Sequence, residues 1–121
     1  ATLLVIEDED QVRDLLVQFL KINGYKVFSA PNGKVGMDIF RNHNIDLVVT
    51  DIFMPEKEGL ETIKEMKREK PSINIIAISG GGQKGNMEFL HVAKFIGADR
   101  TLAKPFSIHE LLRMIKELLN N

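Results

Sequence analysis

A chain of 121 residues with 44% hydrophobic and 27% charged side chains suits one folded domain with a single core, not a disordered segment. Its formal net charge of −1 argues against a dedicated nucleic-acid or anionic-membrane binder. The absence of cysteine excludes disulfides, thiol catalysis and zinc–thiolate sites, and suits a reducing compartment such as the cytoplasm. No apolar run approaches the length of a membrane span, and no signal peptide is expected ahead of Leu3.

In chain order, an apolar strand is expected over residues 3–6, rich in Leu, Val and Ile as in a strand covered on both faces. A helix follows, with Val12, Leu15, Leu16, Phe19 and Leu20 on one face and Gly24 as its stop. The second strand is residues 27–30, followed by a shorter stripe of Val35, Ile39 and Phe40. Residues 47–50 form the third strand, and Leu60, Ile63 and Met66 the buried face of the third helix. A fourth strand over 73–79 precedes a helix carrying Met87, Leu90, Ala93 and Ile96. A weaker strand at 101–103 leads into the last helix. There, Ser107 and Glu110 fit a capping box, while Leu111, Leu112, Ile115, Leu118 and Leu119 line the inner side.

Five strands alternating with five helices imply an α/β, doubly wound parallel sheet of the flavodoxin-like kind, with strand order 2-1-3-4-5. Sites in such sheets form beyond the carboxyl ends of the strands. The first strand is followed by Glu7-Asp8-Glu9-Asp10, the third by Asp51, the fourth ends on Ser79 before Gly80-Gly81-Gly82, and the fifth meets Lys104-Pro105. Each has an ordinary explanation in isolation, such as a helix-dipole partner, strand-end punctuation or a solvated lysine. Together they place carboxylates, a hydroxyl and an amine at one edge. Clustered carboxylates repel unless a divalent cation sits among them, and all-oxygen ligation with few carboxylates suits magnesium, or manganese. Beside such an ion an aspartate can attack a phosphoryl group, with Lys104 and Ser79 holding the other phosphoryl oxygens.

These residues carry a family resemblance over the whole chain. Glu7-Asp8 after "LLVI", Asp51 in "VVTDIFMPEKEG", Ser79 after "IIAI" and Lys104-Pro105-Phe106 after "TLA" resemble the receiver domain of two-component response regulators. The resemblance implies one receiver domain over residues 1–121, with Asp51 as phospho-acceptor. It further implies that Asp8 and Asp51 bind Mg2+ directly, Glu7 acts through a metal-bound water, and the Phe53 backbone carbonyl adds a ligand. Ser79 would be the switch hydroxyl and Lys104 the phosphate-binding amine, with a cis Lys104–Pro105 peptide. Met54-Pro55 would turn the chain away from the acceptor, and Gly59 would let it join the next helix.

A phosphodonor histidine is expected from a histidine kinase or phosphotransfer protein, because His43, His91 and His109 read as surface or packing residues. Its docking surface would be Val12, Arg13 and Leu16 with Pro105 and Phe106, with Val12 and Leu16 reading equally as core residues and Arg13 and Phe106 as the cleaner probes; the fourth helix, fifth strand and fifth helix would carry output to a partner or effector domain. The domain would catalyse only its own phosphorylation and dephosphorylation. Three positions depart from the family pattern. Thr101 stands where many receivers have an aromatic residue, and Phe53 and Gly81 occupy the variable positions beside the acceptor. Two other readings are an aspartyl-phosphate phosphohydrolase built on Asp8-x-Asp10, and a pseudo-receiver that binds partners without phosphorylation. The first leaves Asp51 without a role and the chain no room for a cap; the complete residue set argues against the second. Both a stand-alone regulator and a receiver within a longer protein suit the sequence.

Overall fold

The computed structural model describes residues 1–52, 58–79 and 85–120, without the side chains of residues 58 and 85–90. The elements run β1 (Thr2–Ile6), α1 (Asp10–Ile22), β2 (Lys26–Ala30), α2 (Gly33–Asn42), β3 (Leu47–Asp51), α3 (Glu58–Glu69), β4 (Asn74–Ser79), α4 (Gly85–Ile96), β5 (Arg100–Ala103) and α5 (Ile108–Leu119). All strand pairings are parallel, in the expected order β2-β1-β3-β4-β5.

Strand side chains alternate between two cores because successive residues face opposite sides of the sheet. Leu4, Ile6, Val48, Ile75 and Ala77 pack with Met37, Phe40, Ile63, Met66 and Ala93 from α2, α3 and α4. On the other face Leu3, Val5, Val49, Ile76, Ile78 and Leu102 meet Leu16 and Leu20 of α1 and Leu111 and Ile115 of α5. Each large aliphatic side chain buried this way contributes about 1.5–3 kcal/mol. Coverage on both faces explains why the strands read as continuous apolar runs.

The helix ends follow local chemistry. Past α1, Gly24 takes φ +94°. The Gly24 N–H donates to the Lys21 carbonyl (3.0 Å) and Tyr25 N–H to Leu20 (3.2 Å), closing the helix with a left-handed cap. At α5 the Ser107 hydroxyl accepts from the His109 N–H (3.1 Å), one residue short of the capping-box partner Glu110. Glu110 N–H goes instead to the Ser107 carbonyl at 3.0 Å.

Two helix faces differ from expectation. Leu15 is 61% exposed, since the groove over the sheet is filled by Leu16 and Leu20 with Val12 and Phe19 at its sides. In α2, Val35 is 39% exposed, whereas Gly33, Gly36 and Met37 are buried. A Cβ on Gly36 would lie 2.5 Å from Ile6 Cδ1, so α2 meets the sheet through its own backbone. A periodicity of apolar side chains cannot register a contact made by glycine.

The register aligns the strand ends. Ile6 pairs with Thr50, Asp51 with Ile78, and Ser79 with Ala103. The residues following β1, ending β3, ending β4 and following β5 therefore share one edge.

Candidate functional site

Glu7 is the first residue beyond β1, with its N–H still bonded to the Ala30 carbonyl of β2 (3.0 Å). Its carboxylate turns inward and is 2% exposed. Glu7 Oε2 accepts from the Glu9 N–H at 3.1 Å. Asp51, 5% exposed, ends β3 on the neighbouring strand. Asp8 stands at the exposed rim, and one carboxylate oxygen each from Glu7, Asp8 and Asp51 lie within 4.8 Å of one another.

Lys104 reaches this cluster from the residue after β5, whose backbone is held by a bond from Lys104 N–H to the Ser79 carbonyl (2.8 Å). Its ammonium is 3.1 Å from Glu7 Oε1 and 3.1 Å from Asp51 Oδ2. The next peptide bond, Lys104–Pro105, is cis, as the resemblance implied.

Three carboxylates against one ammonium leave excess negative charge. Burial pushes the Glu7 carboxyl up to about 7, and repulsion from Asp51 adds to it, despite the Glu9 N–H and the Lys104 ammonium favouring the anion. Burial by itself would lower the Lys104 ammonium, but attraction to Asp51 and then Glu7 outweighs it and raises the group above its ordinary value. The donor set is all oxygen, hard and anionic, so it fits a hard divalent cation.

Ser79 is fully buried at the end of β4. Its hydroxyl has no hydrogen-bond partner among the described residues. A buried hydroxyl is costly to leave unsatisfied, by about 1–3 kcal/mol, so one in this position suits an acceptor placed at the sheet edge.

Thus Glu7, Asp8, Asp51 and Lys104 come together and Ser79 stands on the adjoining strand end. Phe53, Met54, Pro55 and Gly80 to Gly82 lie outside the described residues, so the expected Phe53 carbonyl ligand lies there too. Thr101 is half-buried in β5, paired with Ala77. His43 packs on the Phe28 ring (centroids 4.2 Å), His109 meets Phe19 edge-on (5.8 Å), and His91 is exposed on α4. The Asp8-x-Asp10 pair does not form a unit: the Asp10 side chain is 81% exposed and bound to Arg13.

Two members of the expected docking surface are placed more closely by the structure. Leu16 belongs to the core at 4% exposure, because it is the α1 residue pointing straight at the sheet. The Arg13 guanidinium donates to the Glu7 carbonyl (2.8 Å) and to Asp10 Oδ1 (2.5 Å). Gly59 also has a tighter task than joining a helix. A Cβ there would lie 2.5 Å from Ile52 Cα and 2.8 Å from the Asp51 carbonyl oxygen. Neither contact is visible in a residue pattern, since both are made to main-chain atoms. A surface concavity of about 750 Å3 lies elsewhere, bounded by Arg100, His109, Arg113 and Lys116; the cluster chemistry sits at the open sheet edge instead.

Known proteins resemble this chain in both sequence and fold. The response regulator receiver domain family matches residues 3–116. Response regulator SaeR of Staphylococcus aureus (strain USA300) is 37% identical over 117 residues, covering 97% of this chain and 50% of SaeR. The chain therefore spans about half the length of the curated relatives it matches. A response regulator receiver domain protein from Clostridium thermocellum superposes with a TM-score of 0.90 at 30% identity, covering 99% of this chain and 94% of that one. Response regulator protein TrrA from Thermotoga maritima, solved in complex with Mg(2+)-BeF, gives 0.83 at 32% identity, with 97% of each chain covered. By sequence and by fold, this chain belongs to the response regulator receiver domain family.

Proposed function

We propose that residues 1–121 form a receiver domain acting as a phosphoacceptor switch, with Asp51 taking a phosphoryl group from a phosphohistidine. The observation that carries this reading is the meeting of Asp51 with the Lys104 ammonium at 3.1 Å and with the Glu7 and Asp8 carboxylates within 4.8 Å. An Asp51 oxygen attacks phosphorus, the phosphorus–nitrogen bond of the donor breaks, and its electron pair returns to the imidazole. Lys104 holds positive charge beside the attacked group, where it offsets the charge gathering on the phosphoryl oxygens. Ser79 offers its buried hydroxyl, which has no partner among the described residues, as a donor to one of those oxygens.

Glu7, Asp8 and Asp51, with the Phe53 carbonyl, would hold a magnesium or manganese ion. When bound, that ion supplies charge neutralisation and orientation for the phosphoryl group. Glu7, buried and shared with Lys104, suits a role through a metal-bound water; Asp8, at the rim, suits direct ligation. Histidine kinases or phosphotransfer proteins are the partners this chemistry calls for, in the cytoplasm. Turnover is confined to the domain's own phosphorylation and dephosphorylation. Output passes through α4, β5 and α5, since Ser79 and Lys104 flank β5's end of the sheet. With Thr101 in place of an aromatic ring, the change runs mainly through Ser79 and the segment that follows it.

The test is labelling with acetyl phosphate and magnesium, read by intact-mass and peptide spectrometry. One acid-stable, base-labile phosphoryl group is expected on Asp51, absent from Asp51→Asn. Undiminished labelling of that variant would overturn the assignment.

A further inference from the structure

The corner between β1 and α1 contains a contact that the phosphoacceptor chemistry does not use directly. Strand pairing of β1 stops at Ile6, and the Glu7 N–H is tied to Ala30. The Glu7 carbonyl, past the last strand pair, accepts from Arg13 Nη1 at 2.8 Å. The Arg13 side chain is 16% exposed, and its second nitrogen, Nη2, rests on Asp10 Oδ1 at 2.5 Å, a carboxylate that is 81% exposed. The α1 backbone anchors the same residue, since Arg13 N–H bonds the Glu9 carbonyl at 2.9 Å.

The peptide unit joining Glu7 to Asp8 is thus gripped on both sides: β2 fixes the residue before it and Arg13 fixes its carbonyl. A peptide is planar, so fixing its carbonyl fixes the direction in which the Asp8 Cα leaves it. Asp8 lies at the rim of the cluster with no burial to hold it; it has a side-chain contact with Glu7, and its approach to Asp51 depends on the backbone from which it hangs. We infer that Arg13 is a positioning residue for metal binding, orienting the Glu7–Asp8 peptide so that the Asp8 carboxylate faces Asp51. This rests on the reading of Asp8 and Asp51 as metal ligands. Groups that orient ligands from behind typically contribute about 10–100-fold to metal affinity.

The fork geometry makes the inference separable from simple stability. Arg13→Met keeps the stem and removes both donors; Arg13→Lys keeps the charge and one donor centre; Asp10→Ala removes the exposed partner and leaves the Glu7 carbonyl contact. Magnesium alone would be titrated calorimetrically into each variant, with thermal melting in chelator as the measure of folding. Arg13→Met is expected to weaken magnesium about 10-fold or more, Arg13→Lys by less, and Asp10→Ala by under about 2-fold, while the chelator melts stay close together. Parental magnesium affinity in Arg13→Met overturns the inference. If that variant does not fold, Arg13→Lys decides: measurable weakening at an unchanged melt supports the positioning role, and parental affinity removes it. Asp8→Asn separates the two levels. Should Asp8→Asn bind magnesium like the parent, the ligand reading itself fails; should it lose binding while the Arg13 variants keep it, only the Arg13 role fails.

Discussion

Replacing Gly59 by alanine adds a single methyl group, yet it is expected to cost both stability and phosphorylation. Built on the α3 backbone, the new Cβ falls 2.5 Å from Ile52 Cα and 2.8 Å from the Asp51 carbonyl, where ordinary contact is 3.4–4 Å. The start of α3 must retreat by roughly 1 Å, because main-chain atoms of β3's end cannot rotate aside. Overpacking of this kind costs about 1–3 kcal/mol, and the helix preference of alanine over glycine returns at most about 1 kcal/mol. With an unfolding entropy near 2.1 cal/mol/K per residue, a net loss of about 2 kcal/mol lowers the melting temperature by about 8 °C. Gly36→Ala is the comparison, since its Cβ meets side-chain atoms alone, Ile6 Cδ1 at 2.5 Å, Ile6 Cγ1 at 3.0 Å and Ala30 Cβ at 3.8 Å, and no main chain. It is expected to lose some stability but to label at close to the parental rate, because a side chain can shift where main chain cannot and Asp51 is not among the atoms crowded. Urea and thermal unfolding measure the stability, and the initial rate of labelling by acetyl phosphate measures the acceptor. A displacement near 1 Å at Asp51 is expected to slow labelling by about 10-fold or more. If Gly59→Ala melts and labels like the parent while Gly36→Ala labels slowly, the close approach of α3 to Asp51 is not the constraint described.

In chelator, Asp8→Asn should melt higher than the parent, because it relieves repulsion among three clustered carboxylates, and it should gain less from magnesium; equal magnesium gains in both proteins would refute this. For metal-free protein, the raised Glu7 carboxyl means that the folded state holds a proton the unfolded chain releases between pH 4.5 and about 7. Stability should therefore fall as pH rises through that window, by up to about 3 kcal/mol, and Glu7→Gln should flatten the profile in urea titrations; a parental slope in the variant would show that another group is responsible. On the docking side, Leu15 is an exposed apolar residue in the first half of α1, on the cluster's side of the sheet, whereas Ile22, also exposed, ends the helix at the far side; Leu15→Asp should therefore slow phosphotransfer from a cognate kinase with little change in melting, and unchanged transfer would move the contact elsewhere.

The fold was legible because doubly wound sheets leave a strong imprint: runs such as LLVI and IIAI have no polar face, and the stripe of Leu60, Ile63 and Met66 is entirely buried. The site was legible for a related reason. Its charged and hydroxyl residues sit directly after those runs, so locating the strands located Glu7, Asp51, Ser79 and Lys104. Contacts made to main-chain atoms left no such mark. Nothing in the spacing of Arg13 reveals that it binds the Glu7 carbonyl, or in Gly36 and Gly59 that helices approach the sheet through them. Exposure of Leu15 and Val35 was hidden too, since leucine and valine score as apolar whether or not a partner covers them.

The ion pair between Lys104 and Glu7 joins residues 97 positions apart, with β3 and Asp51 threaded between them. Closing so long a loop carries an entropic cost that only the completed parallel sheet can meet. A chain still emerging during synthesis, or one with β5 detached, has Asp51 but lacks the ammonium that accompanies it. On the proposed reading, competence to accept phosphate therefore arrives together with β5, and the chemistry itself distinguishes a closed sheet from an open one.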